Sequence, residues 1–137
     1  MKILICGLPG SGKTTFAIKL IKKIKKLNKS VDYFNADEIR AINNDWDFSI
    51  EGRIRQGNKF IELSDNSKAD IVICDFIAPL EETRNNLNPD IIIWMDTVKE
   101  SICQNFEKPN EYDFRIRNFT NMCNKLQTIL TLIDRAS

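Results

Sequence analysis

The residues best suited to bind a phosphate group lie near the start of the sequence, in the stretch GLPGSGKTT between Gly7 and Thr15. The stretch fits the template of a glycine, four residues of any type and then Gly-Lys-Thr, between an apolar run and a helical pattern. Glycines let successive backbone N–H groups turn towards an anion, and the N-terminus of the following helix adds further donors. A glycine-rich turn without a ligand is the alternative, but it does not explain why the whole template occurs at this junction.

This stretch predicts a site for a nucleoside triphosphate, with ATP as the expected nucleotide and Mg²⁺ as the expected metal. Lys13 would neutralise charge on the outer phosphates, and the hydroxyl group of Thr14 would ligate the metal. The residues expected to hold the nucleotide are Gly7, Leu8, Pro9, Gly10, Ser11, Gly12, Lys13, Thr14 and Thr15.

Three aspartates, Asp37, Asp75 and Asp96, come at or just after strand-like runs. In a parallel sheet the strand ends meet at one edge, and ligands bind there. Either Asp37 or Asp75 could face the metal or the phosphate acceptor, whereas Asp96 is expected to cap the N-terminus of the next helix. Because the sequence contains no histidine, proton transfer would have to use a carboxylate, a lysine, a tyrosine or water.

The segment NNDWDFSIEGRIRQGNKF, residues 43–60, combines an aromatic ring with basic and amide side chains at helical spacing. Phe48 could pack against a planar group while Arg40 and Arg53 hold anionic oxygens. A surface helix capped by Ser49, with Phe48 as its hydrophobic staple, explains the same residues equally well. The segment alone therefore leaves both interpretations open.

Composition limits the class of protein. A length of 137 residues fits one domain, and 20 basic residues against 19 acidic ones give a net charge of +1. This balance argues against a nucleic-acid partner and a membrane partner, and the lysines of the first helix fit a solvated face. The cysteines form no Cys-x-x-Cys pair, and the first apolar run is too short for a signal peptide. We therefore expect a single cytoplasmic domain, residues 1–137.

Strand and helix patterns alternate along the chain. Strands are predicted near residues 2–6, 31–34, 70–76, 90–95 and 113–117, and helices near 13–28, 36–43, 50–68, 80–87, 97–105 and 119–135. Continuous apolar runs such as Ile71 to Cys74 indicate strands covered on both faces. The pattern predicts a doubly wound α/β domain in which helices flank a five-stranded parallel sheet.

Four stretches in this order, GLPGSGKTTF, NADEIR, DWDFSIEGRIRQ and FIAPLEETR, make the sequence resemble the adenylylsulfate kinase (APS kinase) family. These P-loop kinases phosphorylate the 3′-hydroxyl of adenosine 5′-phosphosulfate. The resemblance runs through residues 1–110, and it implies catalytic roles for Lys13 and Asp37. It also implies that arginines hold the phosphosulfate and that two phenylalanines enclose the adenine. The residues it assigns to the acceptor are Asp37, Arg40, Phe48, Arg53, Gln56, Ile77 and Phe106.

The sequence departs from the family's pattern mainly at the acceptor end. Asn35 and Gly52 stand where the family usually has Asp. Gln56 stands where it usually has Asn, and Ala78 stands where it usually has Ser. Asp75 resembles the acidic strand end of other phosphate-loop kinases, so we expect it to face the metal beside Thr14. Residues 97–112 are too few for the family's basic lid, which predicts an exposed nucleotide base. Arg84 is then either a phosphate-facing arginine or a solvated helix residue.

The leading hypothesis is an ATP-dependent kinase for a small, nucleotide-like acceptor, with adenosine 5′-phosphosulfate as the first candidate. A kinase for a polynucleotide 5′-end or for another metabolite is the second hypothesis. The third is a nucleotide-binding module that docks to a partner without efficient turnover. The sequence leaves open whether the chain acts alone or as a homodimer.

Overall fold

The computed structural model of the chain describes residues 1–99, 103 and 105–136. The strands are β1 (Lys2–Cys6), β2 (Val31–Asn35), β3 (Ile71–Asp75), β4 (Ile91–Met95) and β5 (Phe114–Ile116). The helices are α1 (Lys13–Lys25), α2 (Ala36–Asn43), α3 (Ile50–Asn66), α4 (Glu81–Leu87) and α5 (Phe119–Arg135). The strands form one parallel sheet in the order β2-β3-β1-β4-β5. The predicted five-stranded parallel α/β fold is confirmed.

The sheet is buried on both faces, which explains why its inner strands are continuous apolar runs. Every residue of β3 is buried, as are residues Ile3 to Cys6 of β1. Helices α1 and α5 cover one face through side chains such as Phe16 and Ile129. Helices α2, α3 and α4 cover the other, with Ile39 and Phe60 in that core. None of the helices in the described ranges is both long and apolar enough to span a membrane.

The carboxyl ends of β1, β2 and β3 meet at one edge of the sheet. Asn35, the last residue of β2, lies opposite Asp75, the last residue of β3. The Asn35 side chain also caps α2, because it accepts a hydrogen bond from the backbone N–H of Glu38 at 2.9 Å. Ser49 caps α3 in the same way, as the sequence predicted. Helix α2 therefore starts at this edge, and its first residues line the same cleft as the glycine-rich loop that follows β1.

The structure corrects two predictions at the end of β4, the helix over residues 97–105 and the helix cap at Asp96. Where the structure describes that segment, it is not helical, and the rest of the prediction lies outside the described residues. The Asp96 carboxylate instead accepts hydrogen bonds from Arg115, from Nε at 2.9 Å and from Nη2 at 2.6 Å. Its backbone N–H donates to the carbonyl oxygen of Ile116 at 2.8 Å. Asp96 therefore ties β5 to the sheet, through a contact between distant residues that no local pattern indicates.

The packing of α3 on α4 depends on a residue without a side chain. A Cβ added at Gly57 would lie 2.5 Å from Cγ2 of the buried Thr83. We expect Gly57→Ala to lower the free energy of unfolding by about 1–3 kcal/mol, although alanine ordinarily favours a helix by about 1 kcal/mol over glycine. Urea unfolding measures the change, and Asn58→Ala, at an exposed position on the same helix, is the control. Adding Thr83→Ser should restore stability, because it removes the methyl group; an alanine variant as stable as the parent would contradict the expectation.

Candidate active site

The loop between β1 and α1 has a backbone geometry that needs glycine. Gly10 and Gly12 have φ angles of 78° and 95°, in the left-handed region that favours glycine. A Cβ at Gly7 would lie 2.5 Å from the carbonyl oxygen of Met95, so a side chain does not fit there. Oγ of Ser11 is buried and has no hydrogen-bond partner within the described part of the chain. The loop thus offers a closely folded backbone and a free hydroxyl group, which suits phosphate oxygens.

Lys13 begins α1 and extends its ammonium group over this loop. Its Nζ donates hydrogen bonds to the carbonyl oxygens of Gly7 and Leu8, both at 3.0 Å. No carboxylate among the described residues forms an ion pair with it. Burial lowers the pKa of Lys13 below its usual value, and the nearby Asp75 acts in the opposite direction. Its charge is therefore held near the loop by neutral groups and is available to an anion.

Asp75 connects the loop helix to the sheet. Its Oδ2 atom accepts hydrogen bonds from the hydroxyl groups of Thr14 at 2.9 Å and Tyr33 at 2.6 Å. Only 3% of Asp75 is exposed. Burial raises the pKa of this carboxyl group, whereas the two hydrogen bonds and the charge of Lys13 oppose the rise. Thr14 and Asp75, the pair that the sequence proposed for the metal, are thus in direct contact.

The oxygen atoms of this pair suit a magnesium ion that is shared with a ligand. A hydroxyl and a carboxylate are the hard donors that Mg²⁺ prefers. In the ranges that the structure covers, no group of three or more His, Cys, Asp and Glu side chains could hold a metal. A metal ion here would therefore take its remaining ligands from phosphate oxygens or water, as Mg²⁺ usually does beside a nucleotide.

A cleft of about 260 Å³ extends from the loop to the start of α2. Asp37 lies in the first turn of α2, is exposed, and faces this cleft. The cleft therefore brings together Lys13, Thr14, Asp37, Asp75 and Ile77, all of which the sequence had proposed for the site. Its full lining is Pro9, Gly10, Lys13, Thr14, Asn35, Ala36, Asp37, Asp75, Phe76 and Ile77.

A second cavity of about 370 Å³ lies beside the same loop, towards β4 and α5. Thr97 contributes to its wall, and its Oγ1 donates to the carbonyl oxygen of Ser11 at 2.8 Å. The ring of Phe119, which is 75% exposed, stands at the start of α5. Sequence analysis had not singled out this region, although the turn after β5 lies at the carboxyl edge where ligands bind. The lining is Gly10, Ser11, Gly12, Met95, Thr97, Val98, Ile116, Arg117, Asn118, Phe119 and Met122.

Arg40 and Gln56, two residues proposed for the acceptor, bond mainly to the protein. Arg40 is 4% exposed, and its Nη1 donates to the carbonyl oxygens of Asp45 at 3.0 Å and Asp47 at 3.2 Å. Its Nη2 donates to Oε1 of Gln56 at 3.0 Å, and Nε2 of Gln56 donates to the carbonyl oxygen of Ala36 at 3.3 Å. Both ends of the Gln56 amide are thus occupied, so a direct contact between Gln56 and an acceptor stays a prediction.

The ring of Phe48 is in contact with two guanidinium groups. Cζ of Arg40 is 4.4 Å and Cζ of Arg53 is 5.5 Å from the centre of its ring, and the residue is 55% exposed. The staple interpretation is therefore replaced by cation–π packing. Within the part of the chain that the structure describes, no carboxylate pairs with the charge of Arg53.

Gly52 explains one departure from the family's pattern. A Cβ at this position would lie 2.1 Å from the carbonyl oxygen of Asp47. Arg55 holds the preceding loop in place by pairing with Asp45 at 3.1 Å and with Asp47 at 2.8 Å. The aspartate that is usual in the family therefore has no room beside this loop.

Arg84 is neither solvated nor directed at phosphate. It is 2% exposed and donates to the carbonyl oxygen of Ala78, to Oε2 of Glu81 at 3.0 Å and to the carbonyl oxygen of Glu107 at 2.7 Å. Its Cζ lies 6.0 Å from the centre of the Phe106 ring. Both sequence interpretations of Arg84 are therefore wrong, because its guanidinium anchors the turn that carries Phe106.

Three features define the P-loop kinase fold. The parallel sheet has β1 between β3 and β4, a glycine-rich loop leads into α1, and an aspartate lies at the end of β3. Residues 1–91 match the profile of the family described as Adenylylsulphate kinase. The chain belongs to this family.

The chain is similar to two kinds of curated relative over parts of their length, adenylyl-sulfate kinases and a nucleoside-triphosphatase. The chain is 31% identical over 129 residues to the adenylyl-sulfate kinase of Clostridium acetobutylicum, covering 85% of this chain and 64% of that protein. It is 40% identical over 68 residues to the nucleoside-triphosphatase THEP1 of Methanocaldococcus jannaschii, covering 50% of this chain and 34% of that protein. The chain thus spans less than two thirds of these curated relatives.

Among solved structures, the APS kinase of Mycobacterium tuberculosis in complex with AMPPNP and APS superposes with a TM-score of 0.82 at 18% identity. The superposition covers 97% of this chain and 96% of that one. At this identity the likeness establishes the fold alone.

Proposed function

We propose that the chain is an ATP-dependent kinase that transfers the γ-phosphoryl group to a hydroxyl of a small, nucleotide-like acceptor. Adenosine 5′-phosphosulfate is the first candidate, because the chain belongs to the adenylylsulphate kinase family. The observation that carries the proposal is the 260 Å³ cleft, in which the phosphate loop and the exposed carboxylate of Asp37 share one wall. Donor and acceptor can thus meet in one place, which is the main requirement of phosphoryl transfer.

Four residues of the cleft have proposed roles, which are supported by their contacts or by their position in the cleft. Lys13 neutralises the charge that develops on the transferred group, since among the described residues its ammonium donates to loop carbonyls and forms no ion pair. Thr14 and Asp75 would hold Mg²⁺, which when bound draws charge from the outer phosphates. Asp37 orients the acceptor hydroxyl and takes its proton as the new oxygen–phosphorus bond forms. The bond between the γ-phosphorus and its bridging oxygen then breaks, and ADP is the leaving group.

The 370 Å³ cavity gives the nucleotide base a surface that the sequence had not predicted. It adjoins Gly10, Ser11 and Gly12 of the loop, so a nucleotide with its phosphates on that loop can place its base there. Phe119 offers an exposed ring at this position. We therefore assign the base of ATP to this cavity rather than to open solvent.

The acceptor belongs on the opposite side, near the segment after β3. Ile77 lines the cleft. Arg53, which pairs with no carboxylate of the described ranges, can offer its charge to an anionic group. Phe48 and Phe106 would pack against the planar part of the acceptor. Arg40 holds the ring of Phe48 through a cation–π contact at 4.4 Å. An anionic acceptor with an aromatic base satisfies all of these groups.

A nucleoside triphosphatase is the second candidate, favoured by the 40% identity to THEP1 over 68 residues. In that reaction water would take the place of the acceptor hydroxyl beside Asp37. The two functions differ in their products, because a kinase forms a phosphorylated acceptor and a triphosphatase releases inorganic phosphate.

The deciding experiment supplies ATP and Mg²⁺ with a panel of acceptors: adenosine 5′-phosphosulfate, nucleosides and oligonucleotide 5′-ends. Mass spectrometry identifies the phosphorylated product, and free phosphate is measured in parallel. The same assay on Asp37→Asn tests whether the reaction depends on the carboxylate of Asp37. Phosphate release that no acceptor changes would replace the kinase with the triphosphatase, and absence of both products would overturn the proposal.

The exposed ring of Phe48 allows a specific test of the acceptor side. We expect Phe48→Leu to weaken acceptor binding about fivefold, because stacking on an aromatic ring contributes on the order of 1 kcal/mol. ATP affinity should not change, since Phe48 does not line either cavity beside the phosphate loop. Calorimetric titration of each ligand measures both values. Equal losses for ATP and acceptor would mean that the ring stabilises the fold instead.

A further inference from the structure

Tyr33 makes a contact in the site that the proposed mechanism does not use. It lies inside β2, and its hydroxyl group donates to Oδ2 of Asp75 at 2.6 Å. Thr14 donates to the same oxygen at 2.9 Å. One carboxylate oxygen thus accepts two hydroxyl hydrogen bonds, one from the sheet and one from α1. Oδ1 accepts none from the residues that the structure describes.

The carboxylate depends on these two contacts for its orientation. Asp75 is almost fully buried, and a buried carboxylate needs hydrogen bonds to compensate for lost water. Lys13 contributes its charge but no direct contact, because its Nζ donates to the carbonyl oxygens of Gly7 and Leu8. If the Tyr33 hydroxyl were removed, Thr14 alone would hold Asp75, and Thr14 is itself expected to ligate the metal.

Tyr33 is well placed to act as a fixed support. Its partly buried ring packs against the core cluster that includes Phe16 of α1, and this packing supports the position of the hydroxyl. The register of β2 against β3 places Asn35 opposite Asp75, and Tyr33 therefore reaches forward along the strand to the carboxylate. A rigid donor that holds a metal ligand is the usual arrangement of residues behind a metal site.

We propose that Tyr33 is a positioning residue that keeps the Asp75 carboxylate against Thr14 in the orientation required to hold magnesium with a nucleotide. This inference rests on the proposed function, because it requires a magnesium–nucleotide complex at the phosphate loop. It goes further by assigning a role to a side chain on β2, outside the phosphate loop and the acceptor segments.

The test compares Tyr33→Phe with the parent chain by calorimetric titration of AMPPNP, a nucleotide that is not hydrolysed. The titration is run in EDTA and at increasing Mg²⁺ concentrations. We expect Tyr33→Phe to bind AMPPNP in EDTA as tightly as the parent does. The Mg²⁺ concentration that produces half of the gain in AMPPNP affinity should be about tenfold higher for the variant. Tyr112→Phe is the matched control, because it removes the hydroxyl of the other tyrosine, which is 42% exposed and packs against Trp94.

The possible outcomes separate this inference from the proposed function. If Asp75→Asn loses the magnesium effect while Tyr33→Phe keeps it, Tyr33 has no positioning role and the kinase proposal stands. If the parent binds AMPPNP but Mg²⁺ changes nothing, the inference also fails. If the parent binds no nucleotide at all, the proposed function fails with it. A thermal melt without nucleotide confirms that the phenylalanine variant is folded, since it retains the packed ring.

Discussion

Lys13→Ala is expected to lower turnover by about a hundredfold to a thousandfold, the range seen when one charge-stabilising group is removed from an active site. Among the residues that the structure describes, Lys13 provides the one side-chain ammonium that lines the 260 Å³ cleft, and the substitution removes it. The fold should persist, because within the described ranges the hydrogen bonds of Nζ go to two loop carbonyls, those of Gly7 and Leu8. Turnover with ATP and Mg²⁺ is measured beside a thermal melt without nucleotide.

Lys22→Ala provides the control for this variant, because Lys22 is an exposed lysine on the same helix. It should leave both turnover and melting temperature at the parent's values. Undiminished turnover in a well-folded Lys13→Ala protein would exclude the loop as the place where phosphate is transferred.

Arg84→Met is expected to lower the free energy of unfolding by about 3 kcal/mol, because it breaks the ion pair of a buried guanidinium with Glu81 and leaves the buried carbonyl group of Ala78 without its donor. The guanidinium holds the carbonyl oxygens of Ala78 and Glu107 together with the Glu81 carboxylate. Methionine retains much of the side-chain volume, so the loss reports on hydrogen bonds rather than on a cavity. Urea unfolding gives the free energy directly.

Two further variants serve as comparisons for Arg84→Met. Arg84→Lys should recover little stability, since one ammonium does not reproduce a planar fork of donors. Asn85→Ala, at an exposed site on the same helix, should be close to neutral. If Arg84→Met unfolds at the same urea concentration as Asn85→Ala, the guanidinium does not anchor the turn.

The fold and the phosphate loop could be predicted because their signals are local. Buried strands appear as apolar runs, and the loop is a contiguous template from Gly7 to Thr14 whose glycines are explained by positive φ angles. Asp37 and Asp75 were found by the rule that parallel strands end at one edge. The structure brings both into the cleft with Lys13.

The remaining contacts could not be predicted, since they join residues far apart in the chain. Asp96 could have capped a helix that follows it, but in the structure its carboxylate accepts hydrogen bonds from Arg115 instead. Arg84 has a helical context like that of a surface arginine, yet its partner Glu107 lies on a distant turn. Tyr33 likewise appears in the sequence as one more aromatic residue of a strand. Only the register of β2 beside β3 shows that it reaches Asp75.

The close approach at Gly52 restricts the order in which this site can change during evolution. Because a Cβ there would meet the carbonyl oxygen of Asp47, no larger residue can be accepted until the loop before α3 has moved. The loop is in turn held by Arg55 through Asp45 and Asp47. Residue 52 and the Arg55 ion pairs must therefore change together, and a single substitution to aspartate would not lead back to the family's usual acceptor segment. The divergence of this segment is, in that respect, hard to reverse.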